Sequence, residues 1–294
     1  MSEYFITTDT GADFPPSYLE DNFAMLPLSY IIDGVDYDGK TRAYLPLGQF
    51  YDMLESGKTA STSMVPTAAV YEFFADIIGK TGKDILHISF PAAMSGCYEA
   101  CKETASKISV DYPGRRVVVI DSRCASVGLG MLCMYALRKR REGASLDENV
   151  AYVTDLRDHI GHAFTVNNLM YLYRGGRLGR GSAVVGQVMN LKPVIMVDER
   201  GALVNIASVM GRKKAMRALV SKMLHDWAGK EDDLIVIGHG GCADDAAALE
   251  AQVTEAIGER KIVVTDVGPI IGSHCGKGML ALIYIAKNKT DRSF

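Results

Sequence analysis

Two hydrophobic rhythms alternate along the first half of the chain. Short apolar runs at positions 4–8, 85–90 and 116–120 have the length and composition of strands. Between and after them, residues 47–54, 68–78, 100–107, 125–141 and 146–160 read as helices. The β-branched run RVVVI at 116–120 fits a strand covered on both faces in a parallel sheet. Asp33-Gly34 interrupts the apolar pieces of 24–37 and predicts a hairpin turn. This order of elements predicts a doubly wound α/β domain over residues 1–158.

The pattern then changes. Strands are expected at 162–166, 193–197, 203–209, 234–237, 262–265 and 280–286, with helices at 182–190, 211–227 and 244–257. Glu199-Arg200-Gly201 joins two consecutive strands as a hairpin turn, so part of this sheet must be antiparallel. A second α/β domain with a mixed sheet is expected over residues 159–294.

The breaks between elements hold the candidate chemistry. Asp9 closes the first strand, at the sheet edge where α/β proteins collect ligands, and Asp13 reads as a turn or capping residue. The turn from Pro91 to Gly96 places Ser95 at a helix start, where unpaired N–H groups suit a carboxylate or phosphate. Plain helix capping is the alternative role for Ser95. The segment KTASTSMVPT at 58–67 is dense in hydroxyls and is expected to be a loop, with Thr62 and Ser63 its candidates. In VGPIIGSHCGKG, the glycines Gly272, Gly276 and Gly278 flank His274, which should bend the backbone around an imidazole presented at a surface or cleft. Arg174, Arg177 and Arg180 punctuate YLYRGGRLGRG, and Arg212, Lys213 and Lys214 open a helix against the preference of its dipole. An acidic partner or a phosphate would explain that cluster; solvated charge would also do so.

Composition narrows the class. With 294 residues, 48% of them hydrophobic, the chain can bury two cores, and a mixed net charge of -3 gives no footprint for nucleic acid. The start, MSEYFITTD, shows no secretory signal, and the longest apolar stretch, 125–137, is far short of the roughly 20 residues needed to span a bilayer. A cytoplasmic protein without stable membrane insertion is expected, its six cysteines reduced. GSHCGKG departs from a phosphate loop in spacing and lacks Ser or Thr after Lys277, and Gly128-Leu129-Gly130 lies inside a helix without a third glycine. No metal motif is present, so neither a metal nor a cofactor is expected.

The motifs ITTDTGAD, Thr62-Ser63 with Pro66, MSGCYEA, VVVIDSRCASVGLG, YLYRGGRLG, LKPVIMVDERG, GRKKA and IIGSHCGKG occur in one order along essentially the whole chain. In that order the chain resembles the DegV family of bacterial fatty-acid-binding proteins. The resemblance implies a two-domain α/β protein that buries one long-chain fatty acid between its domains. It implies that Thr62, Ser63, Ser95, Gly96 and His274 hold the carboxylate, and that the chain is a non-catalytic carrier. It further implies a partner, the ATP-dependent catalytic subunit of a fatty acid kinase; the same resemblance favours Arg174 and Arg212 as its contacts. Cys97 stands where the family commonly has threonine, Lys277 where it has proline, and Met-Val-Pro where it has Gln-Pro. Among the 14 methionines, Met131, Met134, Met170, Met189 and Met196 are flexible enough to line the acyl tunnel, and each could equally be plain core filler. The competing reading is a serine hydrolase or esterase using Ser95 and His274, although no G-x-S-x-G elbow accompanies them.

Overall fold

The computed structural model describes residues 4–178, 190–230 and 232–293. Arg180, Met189 and nearly all of the expected helix at 182–190 lie outside the described residues. The first half builds a four-stranded parallel sheet, ordered β2-β1-β6-β7, from β1 (Tyr4–Asp9), β2 (Phe23–Leu26), β6 (Asp84–Ser89) and β7 (Val117–Asp121). Its strands are joined through α2 (Thr67–Thr81) and α3 (Cys97–Asp111), which pack against each other.

A small antiparallel sheet sits beside it, with β3 (Tyr30–Ile32) between β4 (Val35–Tyr37) and β5 (Ala60–Thr62). Asp33 and Gly34 both have positive φ, 53° and 77°, as the expected two-residue hairpin turn requires. The segment 58–67 is not all loop, because β5 pairs Thr62 with Tyr30 and Ala60 with Ile32. That strand is specified by a partner some thirty residues earlier, which local composition does not report. α1 (Leu47–Glu55) packs its Phe50, Tyr51 and Leu54 into the same core.

The second half forms a six-stranded mixed sheet ordered β10-β9-β8-β13-β11-β12. Its strands are β8 (Ile160–Thr165), β9 (Leu191–Val197), β10 (Leu203–Met210), β11 (Ile235–His239), β12 (Ile262–Asp266) and β13 (Leu280–Ile285). Only the β11–β12 pair is parallel. α7 (Arg212–Asp226) and α8 (Ala243–Ile257) cover one face. The turn at 199–201 is present, with Gly201 at φ 80° and Asp198 accepting from the backbone of Arg200 and Ala202.

α4 (Val127–Arg141) joins the two halves. Residues 127–137 are buried on all sides because the helix lies between the sheets, against β1 on one side and β8, β11 and β13 on the other. The expected helix at 146–160 is shorter, as α5 (Leu146–Leu156) ends in a 3-10 turn at Arg157–His159 and β8 begins at Ile160. The 158/159 position therefore falls inside that turn. No helix among the described residues is long and apolar enough to cross a membrane.

The glycines of α4 are packing residues. A Cβ on Gly128 would lie 2.0 Å from His162 Nε2, and one on Gly130 would lie 2.0 Å from the carbonyl oxygen of Asp13. Gly to Ala in an unencumbered helix stabilises by about 1 kcal/mol, but overpacking a tight core costs about 1–3 kcal/mol. Gly130→Ala is therefore expected to destabilise the protein, and a urea midpoint at or above wild type would contradict this packing.

Candidate functional site

The halves meet around a cavity of about 260 Å³. Leu28, Val65, Phe90 and Met94 line it from the first half, Phe164, Leu172, Val197, Leu203, Met279 and Ile283 from the second, and 125–127 at the head of α4 from between them. Most of its polar groups gather at one end, with Ser126 and His162 lining it elsewhere. Thr62 comes from β5, Ser95 from the turn before α3, and His274 from the last turn of a short helix, α9 (Pro269–Cys275). The glycine-rich segment is thus a helix and not an open loop around His274. Pro269 starts it and Gly276, at φ 72°, ends it.

His274 Nε2 lies 2.8 Å from Thr62 Oγ1. Nδ1 is sealed without a partner against Gly175, where a Cβ would stand 2.3 Å away. Burial, with Arg177 adding to it, lowers the imidazole to about 4, so it is neutral near pH 7. In the tautomer that carries its proton on Nε2, His274 donates to Thr62 and leaves the threonine hydroxyl free to donate onward into the cavity. Ser95 lies just ahead of α3, whose cap is Gly96, and its Oγ accepts from the Cys97 N–H at 3.2 Å. Its own O–H stays free to donate. Ser63 and Gly96 also line the cavity, with Gly96 lying under the exposed Met64.

Arg177 is the one formal charge lining the cavity among the described residues. It follows α6 (Met170–Arg174), a helix absent from the sequence expectations. Its Nε donates to Met94 O at 3.1 Å and its Nη1 to Gly175 O at 2.5 Å. Burial lowers its pKa, and no carboxylate lines the cavity among the described residues. Arginines spaced by glycines in YLYRGGRLG were the available sequence signal, but they pointed outward to a partner, whereas Arg177 faces the cavity.

The other named residues fall elsewhere. Arg174 is exposed in an outer vestibule that shares Thr62, Arg177 and His274 with the cavity. Arg212 lines neither space: its Nε donates to Asp245 at 2.9 Å and its Nη2 to Cys242 Sγ at 3.5 Å, so its charge is met within the fold. Lys277 pairs with Asp52 and Glu55 of α1, and Cys97 Sγ lies 3.8 Å from Asp9 Oδ2. Of the two roles open to the methionines, core filler is the one the structure shows for three. Met131, Met134 and Met196 are ordinary core, Met170 is half-buried off the cavity, and the lining methionines are Met64, Met94 and Met279. Ser95 and His274 do not form a nucleophile–base pair, since His274 is bonded to Thr62 and no carboxylate orients its Nδ1. All six cysteines are unpaired and five are buried.

Asp13 anchors the two halves beside this cavity. Its carboxylate accepts from Ser126 Oγ and from Gly268 N, each at 2.7 Å, tying the first turn of the chain to the starts of α4 and α9. Burial raises it to about 7, and burial raises Asp9 to about 6.

A parallel sheet and a mixed sheet enclosing an apolar cavity with a polar mouth define a two-domain α/β ligand-binding protein. Residues 4–287 match the family described as "Uncharacterised protein, DegV family", and the chain belongs to the DegV family. A DegV domain-containing protein of Clostridium perfringens is 32% identical over 290 residues, 98% of this chain and 99% of that one. Among solved structures, the fatty acid binding DegV family protein of Streptococcus agalactiae is 26% identical with a TM-score of 0.83, covering 98% of this chain and 100% of its own. A DegV family protein of Thermus thermophilus, also described for its fatty acid binding, is 25% identical with a TM-score of 0.84, covering 96% and 99%.

Proposed function

We propose that this protein binds one long-chain fatty acid and presents its carboxylate to a separate ATP-dependent kinase subunit, which transfers the γ-phosphoryl group to form an acyl phosphate and ADP. The tail lies in the cavity between the domains; Thr62, Ser63, Ser95, Gly96, His274 and Arg177 surround the head. The observation that carries the binding reading is the placement of charge. An apolar cavity whose one formal charge among the described residues is an arginine with no carboxylate partner among them, set among hydroxyls at one end, suits a ligand with a single anionic head and an apolar tail. The fatty-acid-binding relatives support the same ligand.

The kinase step rests on the family resemblance and on the vestibule outside the head site. The chain carries no nucleotide-binding loop of its own, so ATP belongs with the partner. Arg174, exposed in the vestibule, is placed to meet that partner or the incoming phosphate; Arg212 would have to leave Asp245 to do so.

Each hydrogen bond to a charged group is worth ~1.5–3 kcal/mol, so Ser95→Ala is expected to weaken fatty acid binding tenfold or more, and adding Thr62→Val to weaken it further. Displacement of a fluorescent fatty acid, with circular dichroism to check folding, reads this directly. Unchanged affinity in the folded double variant would place the head elsewhere. Native mass spectrometry of the purified protein should find a bound fatty acid, and incubation with the kinase subunit and labelled ATP should give labelled acyl phosphate.

A further inference from the structure

Resting on the fatty-acid reading above, we infer that the cross-strand pair Ile283 and His162 is the far wall of the tail channel, and that Ile283 sets the length of acyl chain the protein selects. The register of the sheet carries this. β13 leaves the turn after His274, and its residues alternate, with Met279, Ala281 and Ile283 on the cavity and Leu280 and Leu282 packed beneath α7 and α8. At ~3.3 Å per residue, Ile283 stands roughly 13 Å beyond Met279, away from the head group.

Ile283 pairs with His162, and Val197 pairs with Leu203. Extending the antiparallel pair Phe164↔Ile195 by two residues sets His162 opposite Val197. The four side chains therefore stand side by side on four neighbouring strands and all line the cavity; Leu203 is the head-side end of the row, bridged to Leu178 beside Arg177, and Ile283 is the end three strands away. The next pair outward, Ile285 and Ile160, is buried core and does not line it.

The wall is held rigidly. His162 Nδ1 lies 3.0 Å from Ile160 O, and its Nε2 accepts from the Ala125 N–H at 3.4 Å, while Gly128 of α4 closes the space behind the ring. Both ring nitrogens are thus engaged, and the imidazole cannot swing aside to admit a longer tail. Ile283 is the part of the row that can be trimmed without breaking a hydrogen bond. One row nearer the head, Ala281 faces Phe164, and its small size leaves the channel open.

The test is a length series of saturated fatty acids, measured by displacement on the wild type, Ile283→Ala and Ala281→Leu. Each methylene kept in the dry channel is worth about fourfold in affinity, so the wild-type optimum should be sharp on its long side. Ile283→Ala is expected to move the optimum to longer chains and Ala281→Leu to shorter ones. Ile283→Val, a smaller cut in the same direction, serves if the alanine variant does not fold. Folded variants that keep the wild-type optimum, weakening all lengths equally, would overturn the wall while leaving fatty acid binding intact. If the wild type bound no fatty acid of any length, the binding reading would fail, and this inference with it.

Discussion

Arg177→Glu is expected to lower fatty acid affinity at least a hundredfold in a protein that still folds. The guanidinium is half-buried at the cavity mouth, held by the carbonyls of Met94 and Gly175 and matched by no carboxylate among the described residues. A bound carboxylate would supply the missing charge, and one charge-assisted bond of that kind is worth ~1.5–3 kcal/mol. The glutamate also brings a like charge close to the ligand head, which costs several kcal/mol more at the effective dielectric of a partly buried site. The sum exceeds the roughly 2.7 kcal/mol that a hundredfold change represents. Arg177→Met, which keeps the apolar stem, should lose less than the glutamate variant. Displacement assays on both, with thermal melts as a folding control, decide the matter. A folded glutamate variant with near wild-type affinity would remove Arg177 from the head site.

The contrast between Arg177 and the hydroxyls shows which parts of this site local sequence could report. The strand at 85–90 and the buried helix after 125 were legible because burial on several faces writes itself as continuous apolar runs, whereas the strand at 116–120 was legible as a strand but, as the edge strand β7, leaves Val117–Val119 half-buried and not covered on both faces. The 33–34 and 199–201 turns were legible because their backbone needs residues that accept positive φ. Ser95 was legible as a polar residue ahead of a helix. Three things were not. β5 exists through its pairing with Tyr30–Ile32, Arg177 reaches the cavity only because α6 turns the chain back, and Gly128 and Gly130 are small because of what crosses α4. Each depends on a partner far along the chain, which no window of residues contains. The methionines stayed open between two roles for a related reason: a flexible apolar side chain fills core and channel alike, so composition cannot choose between them.

Asp13 is the furthest case of such dependence, since one of its two partners lies 255 residues away at Gly268. Asp13→Ala would leave the half-buried Gly268 N–H and the buried Ser126 hydroxyl without their acceptor. At about 1–3 kcal/mol for each unsatisfied group, the expected loss is about 2–6 kcal/mol, among the largest for any single substitution here. Asp13→Asn keeps an acceptor and the shape, so its lesson is in pH. Burial raises the native carboxyl to about 7 from an ordinary value of 3.8, so between those limits the folded state holds a proton that the unfolded state has released. Stability from this group is therefore full at the acid end and falls as pH rises towards 7. Asparagine never ionises, and it removes that slope. Asp9 slopes the same way, while His162 and His274, lowered by burial to about 3 and about 4, slope the opposite way; all three remain in both proteins. The difference between variant and wild type then isolates Asp13. Urea unfolding of the two proteins across pH 4.5 to 8 should show Asp13→Asn at its greatest disadvantage in acid, gaining on the wild type as pH rises and levelling above about 7. A stability difference that stayed constant over that range would mean that Asp13 does not ionise within it.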